Sequence, residues 1–294
     1  KSKIFYVWGG EPFLYPDFMD LAAYMSKKMI FTVNTNGTFL AENAERIVKD
    51  KWTGIFISLD SFEDVNDSIR GKGTYKRVIE GMEAIKREKK AQKSTLPYVG
   101  IVSTMSNLNY MYLDKLAEAM KDKGLSWHII NLGTYMNQDI GDAHIKIMKE
   151  KLDIDPKYWK GFTSGFNAGI DGDKFAQILD KVHALDNGYP IITVPVIKPH
   201  KIGTYYSDLE VPVKKECAAG WFSVNINYNG DVHFCADYPD YIIGNIKNSN
   251  LMDIYNNERA VKFRKALKSS ENGLFPACKR CYQLMLCGES CTGF

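Results

Sequence analysis

The sequence predicts an α/β fold, in which a parallel sheet is followed by a small cysteine-rich region. Short apolar runs alternate with amphipathic helical stretches through residues 1–132, a pattern typical of βαβ units. Residues 222–235 alternate with period two around Asn229-Gly230, which indicates a β-hairpin with a tight type I′ turn. All six cysteines follow residue 216. These observations predict a larger α/β domain and a smaller C-terminal one, with a boundary near residue 208.

The predicted strands are rich in Ile, Val and Phe, as expected for strands that are buried on both faces of a sheet. They lie at Ile4–Trp8, Ile30–Asn34, Ile55–Leu59, Val99–Thr104, Trp127–Leu132 and Ile191–Val196. The predicted helices lie at Asp17–Lys28, Glu42–Lys49, Tyr75–Lys90, Tyr112–Lys123, Asp173–Asn187 and Leu251–Leu267. Residues 133–172 are predicted to form loops with short helices. A barrel and an open doubly wound sheet both satisfy this pattern, and both place chemistry at the carboxyl ends of the strands.

The composition of the chain indicates which partners are not expected and which cellular compartment is expected. The net charge of +3 gives no reason to expect nucleic acid or a membrane surface as a partner, and no apolar run reaches membrane-spanning length. The apolar start is too short for a signal peptide, and without an initiating Met the chain is expected to be clipped there. Cysteines confined to one tail favour metal-bound thiolates in a reducing cytoplasm over a disulfide framework.

The cysteines form the most specific motif, Cys278-x2-Cys281-x5-Cys287-x3-Cys291, preceded by Cys217 and Cys235. Thiolates at this density need a positive centre to offset their mutual repulsion, and either iron–sulfur clusters or zinc would supply it. The x5 and x3 spacings favour a cluster, because zinc ribbons use two Cys-x2-Cys pairs. Buried free cysteines are the remaining alternative, which suits a lone cysteine better than four in fourteen residues.

The order of these cysteines, with Gly230 before Cys235 and Gly244-Asn245-Ile246 after it, resembles the SPASM domain. Six of the seven SPASM cysteines are present, and the seventh is expected beyond residue 294, where the chain also looks clipped. The resemblance implies two auxiliary [4Fe–4S] clusters, each with three ligands from this chain. Cys217, Cys235 and Cys291 would bind the first cluster, and Cys278, Cys281 and Cys287 the second.

Gly9-Gly10-Glu11-Pro12 follows the first strand directly and resembles the GGEP motif of radical S-adenosylmethionine (SAM) enzymes. Glycine lets backbone carbonyls approach a ligand closely, and Glu11 supplies an acceptor beside them. The resemblance implies that this segment binds the ammonium group of the methionine moiety. The alternative is a simple strand-to-helix turn.

Further residues at strand ends resemble the same family. The resemblance implies that Ser58 and Arg70 contact the methionine carboxylate, with Asp60 beside them, and that Thr35 and Asn36 lie near the same ligand. It also places residues 102–105 against the adenine. The alternatives are a buried strand-end hydroxyl, an Arg70–Asp67 surface pair and a generic Asn-Gly turn.

The family's radical cluster is held by Cys-x3-Cys-x2-Cys, a motif that this sequence does not contain. It is therefore expected upstream of Lys1. Asp237, two residues after Cys235, is a candidate catalytic base, with a solvated turn carboxylate as the alternative. His233 and His128 are predicted to be structural.

The resemblance implies a partial (β/α)6 TIM-like barrel without its first strand over residues 1–208, and a SPASM hairpin and helix over residues 209–294. It implies an oxidoreductase or maturase that uses SAM and [4Fe–4S] clusters, with flavodoxin or ferredoxin as the electron donor. A 5′-deoxyadenosyl radical would abstract hydrogen from a peptide or protein side chain, or alternatively from a small molecule. A non-catalytic metal-binding relative and a barrel enzyme with a zinc-stabilised tail are the other hypotheses.

Overall fold

A computed structural model of the protein describes residues 3–163, 169–213 and 216–281. The chain divides into two compact units, residues 1–132 with 174–193, and residues 133–173 with 194–294. We call them the sheet unit and the cysteine unit. The predicted domains, 1–208 and 209–294, follow a family resemblance rather than compactness, and their boundary stays a prediction.

The sheet has six strands, and each lies beside its neighbours in sequence. They are β1 (Ile4–Val7), β2 (Ile30–Thr35), β3 (Gly54–Ser58), β4 (Tyr98–Thr104), β5 (Trp127–Asn131) and β6 (Ile191–Val194). The first five pair in parallel. A doubly wound sheet would reverse its strand order at a switch point, so the open alternative is wrong and the partial barrel is confirmed. The last strand ends before its predicted bound because Pro195 has no N–H for the ladder.

The helices support both units. They are α1 (Phe18–Ser26), α2 (Leu40–Lys49), α3 (Glu63–Arg70), α4 (Thr74–Ala91), α5 (Leu113–Ala119), α6 (Gln138–Leu152), α7 (Gly172–Ala184), α8 (Ile202–Ser207), α9 (Ala219–Phe222), α10 (Leu251–Asn256) and α11 (Glu258–Lys268). None of the helices in the described part of the chain is long and apolar enough to cross a membrane.

The core of the sheet unit lies between the sheet and its helices. Alternate strand residues such as Phe31, Val33, Ile55 and Ile57 are fully buried on this face. Trp52, also fully buried, packs edge-on against Phe31, with ring centroids 5.1 Å apart. Each fully buried apolar side chain contributes about 1.5–3 kcal/mol, so this layer holds the strand ends in a fixed frame.

The opposite face of the sheet has room for a large aromatic side chain at one point. A Cβ at Gly100 would lie 2.1 Å from Trp127 Nε1, so only glycine lets the indole lie against β4. Phe56 packs on the same indole, with ring centroids 4.9 Å apart. Gly100, Phe56 and Trp127 therefore pack together on this face of the sheet.

The cysteine unit corrects the prediction of loops with short helices over residues 133–172. Helix α6 has 15 residues and is capped by Asn137, whose side chain accepts from Ile140 N at 2.9 Å. Its buried positions include Gly141 and His144, which weaken the apolar periodicity that identifies a helix.

The predicted hairpin is present as β7 (Asn225–Ile226) and β8 (Asp231–His233), and β9 (Gly244–Asn245) extends it into an antiparallel sheet. The type I′ turn is wrong. Of the two turn residues only Gly230 has positive φ, and its N–H donates to Asn227 O at 2.8 Å. This is the geometry of a turn followed by a left-handed glycine.

The predicted helix Leu251–Leu267 is in fact two helices, α10 and α11. Asn257 separates them with extended backbone, and its side chain accepts from Ala260 N at 2.9 Å. An asparagine in this position satisfies a free N–H at the start of the second helix, so it begins α11 rather than continuing α10.

Candidate cofactor sites

The carboxyl ends of β1 and β2 are joined through Glu11. Its Oε1 accepts from Thr35 Oγ1 at 2.7 Å and from Phe13 N at 3.3 Å. Its Oε2 accepts from Asn36 N at 2.7 Å. A carboxylate has about four acceptor positions, so one remains for a ligand. The structure thus brings three predicted site residues together and gives Glu11 a structural role besides its predicted one.

Gly9 and Gly10 present bare backbone in front of this carboxylate. A Cβ built on either glycine meets no protein atom within 4 Å, and Gly9 has a φ of +141°. Pro12 then opens a short 3₁₀ turn that Glu11 caps. Open space beside exposed backbone and a carboxylate fits the methionine end of SAM.

Asp60 links the ends of β3 and β4. Its Oδ1 accepts from Thr104 N at 2.8 Å, and its Oδ2 lies 2.6 Å from Arg70 Nε. Asp60 is 4% exposed and Arg70 25% exposed. The alternative that pairs Arg70 with Asp67 is wrong, because backbone N–H groups of Tyr75 and Gly73 bind the Asp67 carboxylate and lower its pKa.

Ser58 ends β3, half-buried and opposite Val102. It lies at the same edge of the sheet as the Asp60–Arg70 pair and Glu11. The contacts of all these residues with SAM stay a prediction.

Two buried asparagines in this edge were not predicted. Asn66 accepts from Asp60 N at 3.0 Å, and the Asn109 amide donates to Asp60 O at 3.0 Å and to Thr104 O at 2.9 Å. They fix the backbone around Asp60. Both lie in polar segments of the sequence, which carry no signal that these two side chains are buried.

His128, predicted to be structural, is fully buried on β5. Its Nε2 lies 2.8 Å from Ser103 Oγ, which donates to Leu59 O at 2.5 Å. Burial lowers the pKa of His128 to about 3. The ring is therefore neutral and ties three neighbouring strands together.

In the cysteine unit, four of the predicted cluster ligands line one narrow cavity: Cys217, Cys235, Cys278 and Cys281. The other lining is mostly apolar and consists of His144, Met148, Ala219, Phe234, Tyr238, Phe263, Leu267 and Phe275. Elements far apart in sequence, from α6 to the segment after α11, thus bring the thiols together.

The electrostatics of this cavity oppose free thiolates. Burial raises the pKa of Cys235, and the neighbouring Asp237 carboxylate raises it further. Burial also raises the pKa of Cys278, with added contributions from Cys235 and Cys217. Only a positive centre would let these thiols ionise together, which fits an iron–sulfur cluster. In residues 3–163, 169–213 and 216–281, no three Cys, His, Asp or Glu side chains already surround a single-ion site.

The predicted division of ligands between two clusters stays a prediction. Cys278 and Cys281 share their cavity with Cys217 and Cys235, which were assigned to the other cluster. The remaining predicted ligands, Cys287 and Cys291, lie outside the described residues.

Asp237 lies within this cluster of cysteines. It is 8% exposed, and its Oδ2 lies 3.7 Å from Cys281 Sγ, so the alternative of a solvated turn carboxylate is wrong. Its role as a catalytic base stays a prediction. His233 bonds through both nitrogens, to Cys235 O at 2.8 Å and to Asn227 Oδ1 at 2.9 Å, as a structural residue would.

Two buried polar residues of this unit were not predicted. His144 on α6 is 1% exposed, and burial lowers its pKa to about 4. Arg280, also 1% exposed, stacks on Tyr205 at 3.8 Å and donates to Asp208 O at 2.8 Å. A lone histidine in a helix and an arginine inside Cys-x2-Cys carry no sequence signal of burial.

Two family profiles match separate parts of the chain. The sequence profile of the Radical SAM superfamily matches residues 1–105. That of SPASM, an iron–sulfur cluster-binding domain, matches residues 217–282. The chain thus contains a radical SAM domain and a SPASM domain. These two domains indicate SAM and [4Fe–4S] clusters as the cofactors.

Relatives of this radical SAM protein span several substrates. It is 22% identical to pre-heme d1 synthase of Dinoroseobacter shibae over 259 residues, 84% of this chain and 59% of that protein. It is 33% identical to mycofactocin maturase MftC of Mycobacterium tuberculosis over 88 residues, 28% of this chain and 22% of that protein. The chain therefore spans less than two thirds of the length of these relatives.

The fold of this chain is similar to that of Streptococcus suis SuiB bound to precursor peptide SuiA. The TM-score is 0.61 at 15% identity, over 98% of this chain and 63% of SuiB. At this identity the likeness shows the fold alone.

Proposed function

We propose that this radical SAM protein is a cytoplasmic peptide maturase. The observation that carries the proposal is that one chain contains both an open glycine backbone beside Glu11 and a separate cavity lined by four cysteines. When bound, the radical cluster supplies reductive cleavage of SAM to methionine and a 5′-deoxyadenosyl radical, which takes hydrogen from a peptide side chain. The Cys-x3-Cys-x2-Cys motif that would hold the radical cluster does not occur in these 294 residues.

The chain's own residues would orient SAM at the strand ends. The exposed backbone of Gly9 and Gly10, with the free acceptor position of Glu11, would bind the methionine ammonium. Arg70 would bind the carboxylate through its terminal nitrogens, because its Nε already pairs with Asp60. Cys217, Cys235, Cys278 and Cys281 of the cysteine unit would hold auxiliary clusters, which would supply electron transfer, with flavodoxin or ferredoxin as the electron donor.

Two likenesses support a peptide as the substrate: the 33% identity with a mycofactocin maturase and the fold shared with a peptide-bound SuiB. One observation favours a second candidate. The match to pre-heme d1 synthase covers 84% of the chain, whereas the maturase match covers 28%. A small-molecule enzyme acting on a tetrapyrrole is therefore the alternative.

The class and the substrate are tested together on the full-length protein, reconstituted anaerobically with iron and sulfide. Deuterated peptides from reading frames next to the gene, and a deuterated tetrapyrrole precursor of pre-heme d1, would be supplied with SAM and a reductant. Deuterium in 5′-deoxyadenosine from a peptide supports the proposal. Turnover with the tetrapyrrole alone would establish the alternative, and no 5′-deoxyadenosine from loaded protein would exclude the enzyme.

The SAM site has its own test in Gly10→Ala. The new Cβ meets no protein atom, so the melting temperature should stay unchanged, but it would block close approach of the ligand. We expect SAM affinity to fall roughly tenfold or more, since close backbone contact is what glycine permits here. Gly161→Ala, at a glycine equally free of neighbours, is the matched control and should alter neither property. Unchanged affinity in Gly10→Ala would place SAM elsewhere.

A further inference from the structure

His144 is a buried polar side chain that the protein itself leaves unsatisfied. It lies on α6, is 1% exposed, and neither Nδ1 nor Nε2 has a hydrogen-bond partner among the described residues. Buried polar groups in native proteins are almost always paired, so two unpaired nitrogens on one ring call for an explanation.

The surroundings of the ring restrict what that explanation is. Its aromatic neighbours are Tyr238 and Phe275, with ring centroids 5.6 and 6.2 Å away. The Tyr238 hydroxyl donates to Ala277 O at 3.1 Å and is therefore engaged elsewhere. Met148, one turn further along α6, lines the same cavity. A buried water needs two to four polar partners, which these side chains do not offer.

The cavity that His144 lines is the one that holds Cys217, Cys235, Cys278 and Cys281. We propose that His144 is a ligand of the auxiliary cluster there and binds one of its irons through an imidazole nitrogen. The proposal rests on the cluster-binding part of the proposed function. A neutral imidazole offers one lone pair, and iron is the acceptor that a cluster brings to it. The other nitrogen would keep its N–H among the aromatic side chains that surround the ring, Tyr238 and Phe275.

The position of His144 gives the proposal a specific content. It belongs to α6, outside residues 217–282 that the SPASM profile matches. A SPASM motif defined by cysteines alone therefore gives His144 no role. Imidazole ligands occur in Rieske centres, where they raise the reduction potential relative to all-cysteine ligation.

The test uses full-length protein purified anaerobically, with pulsed EPR on its reduced clusters. We expect a ¹⁴N coupling of the size given by direct iron–nitrogen bonding, which changes to ¹⁵N when the histidines are labelled. His144→Cys should retain iron and sulfide, because thiolate replaces imidazole, but should lose the nitrogen coupling and lower the potential of that cluster. His144→Phe fills the space without a ligand and should lose the nitrogen coupling and shift the potential of that cluster. Met148→Leu, on the same face of α6, is the control and should keep both iron and coupling.

A nitrogen coupling that is absent, that has only the size of a hydrogen bond, or that persists in His144→Cys would overturn the ligation. An unchanged reduction potential and an unchanged nitrogen coupling in His144→Phe would overturn it as well. Measurements on the wild-type protein distinguish failure of the His144 ligation from failure of the proposed cluster binding. Auxiliary-cluster iron and sulfide without the coupling defeat only the assignment of His144, whereas their absence defeats the cluster-binding function itself.

Discussion

The two units of this protein prepare their sites in different ways. In the sheet unit, Glu11 and Asp60 are already held by hydrogen bonds and an ion pair from neighbouring strands. In the cysteine unit, buried thiols and an unsatisfied imidazole face a cavity, and the strands are only two or three residues long. The first site is built by the protein before any ligand arrives. The second needs an inorganic centre to complete it.

The largest expected effect separates the two units and exceeds roughly ten-thousandfold in hydrogen exchange for the elements around the cavity. Cys235→Ser combined with Cys278→Ser removes two of the four cysteines that line the cavity, so the cavity should no longer bind its cluster. Metal binding that completes a site contributes directly to folding, so α11 and β8 should lose hydrogen-exchange protection by roughly ten-thousandfold or more. Peptides of the sheet unit should keep theirs. The measurement is hydrogen exchange by mass spectrometry.

Ala219→Ser is the matched control, since Ala219 lines the same cavity but is no predicted ligand. It should leave the exchange pattern unchanged. Equal loss of protection in both units of the double variant would contradict the distinction between them.

Trp52→Ala tests the sheet unit in turn. Trp52 is fully buried against Phe31 and Phe18, so its truncation should lower the free energy of unfolding by about 3–5 kcal/mol. Because this core contains no cluster ligand, the loss should be the same in cluster-loaded and cluster-free protein, measured by urea unfolding. Trp52→Phe should lose less. A loss that depends on iron content would argue against independent cores.

Asp60→Asn tests the preformed ion pair. Removing one partner of a largely buried pair leaves the other charge uncompensated, but Arg70 is 25% exposed and partly screened. We therefore expect a loss of about 2–3 kcal/mol by thermal unfolding, below the range for fully buried pairs. Asp153→Asn breaks the exposed Lys149–Asp153 pair and should produce no measurable change. Comparable melting temperatures for the two variants would show that the Asp60 pair is solvated.

The smallest expected effect is a pH dependence carried by His128. Its pKa falls from 6.5 to about 3 on burial, so between these values the unfolded chain binds a proton that the folded chain does not. Stability therefore decreases as the pH falls below 6.5, by about 2 kcal/mol at about pH 5. The measurement is hydrogen exchange of β4 and β5, corrected for intrinsic rates. His128→Gln should flatten the dependence, and an unchanged slope would assign it to other groups.

Much of the sheet unit was predictable because its signals are local. Ile, Val and Phe runs mark buried strands, and glycines directly after β1 mark exposed backbone. Helix α3 escaped prediction because only Asn66 among its residues is buried, so no apolar stripe marks it. The turn at Gly230 and the break at Asn257 also escaped, since each depends on which backbone group a single side chain or carbonyl meets.

The sequence by itself determined the kind of chemistry: the spacing of the cysteines and the Gly9–Pro12 motif identify cluster and SAM binding, because short-range spacing dictates which side chains share a loop. Only the tertiary structure decided which distant residues complete each site. It brought Glu11 to Thr35, Asp60 to Arg70, and His144 of α6 to the four cysteines of its cavity. The physical reason is that packing between elements is set by the whole core, whereas the nitrogens of His144 show their need for a partner only once they are buried.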